Sequence, residues 1–125
     1  MGRENKITGS AGEKLAASYL RKNGYKVLHS NYRTIFGEID IVVRFGGVTV
    51  FVEVKTRATS SLGPPYLAVT KAKERHIIKN ALFYLKIRRL VDVPWRIDIV
   101  SVKLGPDHRV ENIEHIENAV EDTYV

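Results

Sequence analysis

Asp40, Glu53 and Lys55 stand in two apolar runs joined by Gly46-Gly47. If the glycines form a two-residue turn, Phe45 faces Val48 and the pairing continues residue by residue. Asp40 then faces Glu53, and Glu38 faces Lys55. Side chains alternate with a period of two, so all four are expected on one sheet face. Directly opposed residues have Cβ atoms about 4.5–5.5 Å apart. Two carboxylates at ~5 Å repel by about 3 kcal/mol at an effective dielectric near 20. Such a pair calls for a compensating charge, either Lys55 or a divalent cation.

The cation explains more. Mg²⁺, with Mn²⁺ as a second candidate, takes carboxylate and carbonyl oxygens and waters in an octahedral array that leaves room for a substrate phosphate. Asp40 and Glu53 would be its fixed ligands. Lys55, two residues beyond Glu53, can reach an attacking water or a phosphate oxygen. The site lies in an electrically balanced middle stretch between two basic ones. Residues 1–33 hold seven Lys/Arg against two acids, residues 71–90 seven against one, and residues 105–125 one against six. Clustered base suits a polyanion, because Lys and Arg displace counterions condensed on phosphates. A solvated basic surface is the plainer reading of the charge alone.

The positioning elements follow from periodicity. Ser10-Ala11-Gly12-Glu13 reads as a capping box opening a helix of about three turns, with Leu15, Ala16, Tyr19 and Leu20 inside and Asn23-Gly24 as its stop. Tyr25 to Arg33 is a first strand. Ile39 to Phe45 and Val48 to Lys55 are the hairpin. Ser60 to Pro65 is by composition a mobile loop. Thr70 caps a second helix that buries Ile77, Ile78, Ala81, Leu82 and Leu85, presents Lys71, Arg75 and Lys79 as an outer basic row, and ends at Val93-Pro94. Arg96 to Leu104 and Arg109 to Ile116 are further strands. The order α-β-β-β-α-β-β describes an α/β sandwich around one sheet.

Other chemistries are excluded by what is missing. With no cysteine, disulfides and thiol nucleophiles are absent. His29, His76, His108 and His115 are scattered singly, without zinc or triad spacing. Phe45-Gly46-Gly47-Val48 lacks the ending of a phosphate-binding loop. No apolar stretch approaches the ~20 residues that cross a bilayer, and no apolar region follows the charged N-terminus. A cytoplasmic protein without membrane attachment is expected. Its 125 residues suit one domain, with a core over about 9–104 and an acidic segment over 105–125.

Gly37-Glu38-Ile39-Asp40 followed at distance by Glu53-Val54-Lys55 resembles the signature of the PD-(D/E)XK nuclease superfamily, with Glu-Ile in place of the proline before the Asp. Gly9-x-x-Gly12-Glu13, Asn31-Tyr32-Arg33, Phe51 to Arg57 and Arg96-x-Asp98 resemble more specifically the YraN-like family. These are small bacterial proteins regarded as predicted endonucleases and distantly similar to archaeal Holliday-junction resolvases. The resemblance runs from about Gly9 to Val102. It implies a restriction-endonuclease-like αβββαβ core, a mixed sheet flanked by two main helices. Asp40, Glu53 and the Val54 carbonyl would hold the metal, Lys55 would assist the attacking water, and Glu13 would complete the acidic cluster. The activity implied is hydrolysis of DNA, including branched repair or recombination intermediates.

Each residue has a plainer alternative. Asp40 and Glu53 can be solvent-face partners of Lys55 and Arg44, and Lys55 an ordinary strand lysine. The capping box suffices for Glu13, a bridge to Lys55 for Glu38, and a basic structural partner for Asp98. Arg33, Arg57, Lys71, Arg75 and Lys79 are candidates for phosphate contacts or for a solvated face. A nucleic-acid-binding module without cleavage is the rival function. The oligomeric state is open, a homodimer included.

Overall fold

Gly46 and Gly47 both take positive φ (54° and 81°), as a tight two-residue hairpin turn requires. The turn joins β2 (Gly37–Phe45) to β3 (Val48–Ala58), and their register is the expected one, from Phe45 opposite Val48 to Ile41 opposite Val52. The computed structural model describes residues 2–58 and 70–120. Ser60 to Pro65, expected to be a loop, lie outside the described residues. With β1 (Lys26–Thr34), β4 (Trp95–Leu104) and β5 (Val110–Ile116) the hairpin forms a five-stranded sheet in the order β1-β2-β3-β4-β5. Only β3 and β4 run parallel. A parallel pair needs a crossover, and α2 (Lys71–Ile87) supplies it. The fold is α/β, with the αβββαβ order of a restriction-endonuclease-like core.

Each sheet face has its own helix. On one face α1 (Gly2–Lys22) places Ala16 and Leu20 against Ile41, Val43, Val50, Val52, Val100 and Val102. On the other, α2 places Ile78, Ala81, Tyr84 and Leu85 against Val42, Phe51, Ile97 and Ile99. Central strands covered on both faces read as continuous apolar runs, which explains the Val-rich sequence of β2 and β3. Tyr84 takes the buried place expected for Leu82, which is exposed. Its ring meets Phe51 edge-on at 5.5 Å and Tyr32 at 5.0 Å.

Both helices depart from their expected limits. α1 begins at Gly2, well before the Ser10 read as its cap. No proline interrupts the first residues, and Gly9 inside a helix costs only about 1 kcal/mol relative to alanine. Ser10 and Glu13 are thus internal, and Glu13 has no capping duty. At its end the Tyr25 N–H reaches the Leu20 carbonyl (3.0 Å) and the Gly24 N–H that of Arg21 (3.1 Å), a Schellman closure with Gly24 left-handed. α2 closes likewise at Arg89 (φ 56°), with Leu90 N–H to Leu85 O at 2.8 Å, ahead of Val93-Pro94.

A buried ionic network fastens β5 and the residues after it. Asp98, fully buried, accepts from Arg96 Nε (3.0 Å) and the Asn118 N–H (2.9 Å), and lies 2.8 Å from His115 Nε2. Burial pushes its carboxyl up, but the bonds to His115, Arg96 and Asn118 prevail and hold it below the ordinary aspartate value. Asp98 is thus a partner of basic side chains, the plainer of its two expected roles.

Candidate metal centre

Beyond Ile41 and Val52 the ladder between β2 and β3 stops, while β2 stays paired with β1 as far as Gly37 opposite Thr34. The strands fork. At the fork the Val54 N–H donates to Asp40 Oδ2 at 2.8 Å, so a side-chain oxygen takes the place of a backbone carbonyl. Alternation also slips here. Ile39 and Val42 both pack with α2, whereas Ile41 and Val43 pack with α1. The expectation that Glu38, Asp40, Glu53 and Lys55 share one regular face is corrected accordingly. The irregularity turns the Asp40 carboxylate into the fork, where α1 can reach it.

Glu13 makes that reach. One carboxylate oxygen each from Glu13, Glu38 and Asp40 lie within 4.8 Å of one another. Gly12 allows the approach, because its bare Cα sits against the Thr56 side chain of β3. Glu53 adjoins the cluster, close enough for the charge of Asp40 to act on it, and two ammonium groups flank it: Lys55 Nζ at 3.6 Å and Lys73 Nζ at 3.7 Å. The tight group therefore includes Glu38, while Glu53 stands beside it in an ion-paired position.

The electrostatics follow from crowding. Glu13 is pushed up to about 7, by burial first, then by the charge of and hydrogen bond with Asp40, and by Glu38 and Glu53. Glu53 is also pushed up to about 7, by burial and then Asp40, with Lys55 and Lys73 opposing. Lys55 is pulled below its ordinary value by burial and by neighbouring Lys73, against the attraction of Glu53 and Asp40. Carboxylates this close carry protons near neutrality unless a cation replaces them. Hard oxygen donors on an open cleft fit a divalent ion of the Mg²⁺ or Ca²⁺ kind better than a soft metal.

Two surface clefts meet at Glu13 and Asp40. One, of about 410 Å³, is lined also by Gly9, Glu53, Val54, Lys55, Thr56 and Lys73. The other, of about 490 Å³, runs past Ser10, Lys14, Arg21, Ser30 and Asn31. Lysines and arginines thus occur on both sides of the carboxylates.

Glu13, Asp40, Glu53, Val54 and Lys55 are brought to one cleft. The other candidates are more dispersed. Lys71, Arg75 and Lys79 are exposed on α2, with Lys79 Nζ 5.9 Å from the Phe36 ring centre. Arg57 is half-buried on β3, and Arg33 reaches out from β1 with Glu38 at 4.0 Å. The sequence does not single out Lys73, because Lys71, Arg75 and Lys79 dominate the basic pattern of α2. Its signal was its place in the first turn after Thr70, where its N–H bonds the capping Oγ1 at 3.2 Å.

The family described as Uncharacterised protein family UPF0102 matches residues 12–102 of this chain. A UPF0102 protein of Geobacter metallireducens is 48% identical over 124 residues, spanning 99% of this chain and 100% of that protein. One from Geobacter sulfurreducens is 48% identical over 121 residues (96% and 93%), and one from Caldicellulosiruptor saccharolyticus 38% over 111 (89% and 94%). Among solved structures, Pyrococcus furiosus SfsA in complex with Ca²⁺ aligns with a TM-score of 0.41 and 15% identity, over 94% of this chain and 65% of that one.

Proposed function

The chain belongs to the UPF0102 family, and we propose that it is a Mg²⁺-dependent endonuclease, a single nuclease-like domain that hydrolyses phosphodiester bonds in DNA in the cytoplasm. One observation carries the reading: Glu13, Glu38, Asp40 and Glu53 gather at a strand fork with Lys55 among them. Asp40, Glu13, Glu53 and the Val54 carbonyl would hold the metal, with Glu38 as a further oxygen donor and Mn²⁺ as a substitute ion. When bound, a divalent cation supplies Lewis acidity toward the phosphoryl oxygen and eases deprotonation of the attacking water.

The chain's own groups do the rest. The Val54 N–H fixes the orientation of the Asp40 carboxylate. Glu53 holds Lys55 Nζ in the cleft, where the ammonium can orient water in line with phosphorus or donate to a phosphate oxygen as negative charge develops. Lys73 offers a second donor from the start of α2. Arg33, Arg57, Lys71, Arg75 and Lys79 would contact the flanking phosphates.

The test is a cleavage panel of duplex, single-stranded and branched DNA with Mg²⁺, Mn²⁺ or EDTA. Cleavage that needs the metal and is abolished by Asp40→Ala is expected. Binding without cleavage on any substrate would replace the reading with a non-catalytic nucleic-acid-binding module.

A further inference from the structure

The turn between β1 and β2 exposes two large apolar side chains beside the carboxylates: Ile35 at 78% and Phe36 at 41%. The turn is nevertheless braced. Thr34 Oγ1 accepts from the Phe36 N–H at 3.0 Å and donates to Asn80 Oδ1, and the Asn80 amide donates to the His76 carbonyl at 3.0 Å. The Phe36 ring meets Phe83 edge-on at 6.1 Å. α2 therefore holds an apolar tip rigidly, with the Lys79 ammonium beside its aromatic ring. Arg33 and Glu38 face each other across the same hairpin, and Glu38 belongs to the carboxylate group. The tip lies two steps beyond the Arg33–Glu38 pair, so at ~3.3 Å per residue Ile35 stands roughly 7 Å above the level of Glu38. That is about two base steps of ~3.4 Å.

We propose that Ile35 and Phe36 form a wedge that packs against an unstacked nucleobase one or two nucleotides from the phosphate held at the carboxylates. The inference rests on the nuclease reading above. Nucleobases offer flat apolar faces with phosphates alongside, and apolar side chains either enter base steps or stack on unpaired bases. Lys79 and Arg33 place positive charge beside the tip for those phosphates. A continuous duplex keeps its bases stacked, so the wedge selects single-stranded, gapped or branched DNA. An anionic lipid surface suits the tip less well, because the exposed Glu38 carboxylate stands close behind it.

The test compares wild type with Ile35→Ser, whose side chain is mostly in solvent, by fluorescence anisotropy at low salt without divalent ions. Wild type should bind single-stranded and gapped oligonucleotides more tightly than continuous duplex. Ile35→Ser should weaken that binding about five- to tenfold, leave duplex affinity within about twofold, and leave the salt slope unchanged. Equal affinities for the two proteins on every substrate, while Lys71, Arg75 and Lys79→Gln still weaken binding, would overturn the wedge and spare the nuclease reading. No binding of any nucleic acid by wild type would overturn both. Ile35-dependent self-association, or binding to anionic vesicles, with DNA affinity unaffected would assign the tip to that occupant and overturn the wedge.

Discussion

Gly12 of α1 lies so close to Thr56 of β3 that a Cβ at position 12 would overlap Thr56 Oγ1 and come 2.9 Å from Thr56 Cβ and Cγ2. This is the contact that brings Glu13, the next residue, to the fork. Gly12→Ala should destabilise the protein by about 1–3 kcal/mol, as overpacking does, and should weaken metal binding because α1 must lift. Thr56→Ala added to it should restore only part of the loss, since its Cβ remains. Thermal melts and metal titrations of the two variants beside wild type check this.

Metal affinity should rise with pH through about 7, the value to which Glu13 and Glu53 are pushed. Protons and cation compete for the same oxygens, so binding should release protons. Calorimetry in two buffers of different ionisation enthalpy measures that release. Asp40→Asn and Glu53→Gln should each weaken Mg²⁺ or Mn²⁺ binding; undiminished binding by both would remove the site.

Stability of the metal-free protein should move in the opposite direction. A carboxyl whose folded pKa is raised from 4.5 to about 7 binds more protons folded than unfolded within that window. Stability is then lost as pH rises through it. The melting temperature should fall by a few degrees between pH 5 and pH 8. Saturating Mg²⁺ at pH 8 should recover it, and Glu53→Gln should flatten the profile.

Lys55→Met separates a chemical role from a structural one. As a group acting on water or phosphate, its loss should reduce cleavage by at least about a hundredfold while metal and DNA binding survive. As a counter-ion only, its loss should destabilise the metal-free protein through Glu53, 3.6 Å away, and leave turnover in saturating Mg²⁺ intact. Single-turnover kinetics beside thermal melts distinguish the two.

Binding through about five phosphate contacts should give a log–log salt slope near −4.5 on duplex DNA. Replacing Lys71, Arg75 and Lys79 together with Gln should flatten it to roughly −1.8 if all three contribute. A slope unchanged by the triple variant would place the contacts elsewhere, for example along the cleft past Lys14 and Arg21.

What the sequence reveals, and what it hides, divides by range. The hairpin and its register are legible because Gly46-Gly47 and a period of two are local signals. The Thr70 cap is legible for the same reason. The fork is not, because it depends on the Asp40 side chain capturing the Val54 N–H, a choice between two acceptors that no spacing encodes. Ser10-x-x-Glu13 is misleading: the pattern of a helix start lies inside α1, and only the three-dimensional approach of Gly12 to Thr56 gives Glu13 its position. Lys73 escapes notice because a first-turn lysine declares no direction until α2 is laid across the sheet.

The two-glycine turn has a consequence at the far end of its hairpin. Neither glycine lines either cleft, yet shortening the turn by one residue would advance β3 one step against β2. Every side chain of β3 would then change faces. Glu53 and Lys55 would be driven under α1, into the core that Val52 now fills, and Val52 and Val54 would turn to the α2 face. Gly46 and Gly47 set the phase between two strands, so a site that they never touch can be switched off by a change in loop length alone.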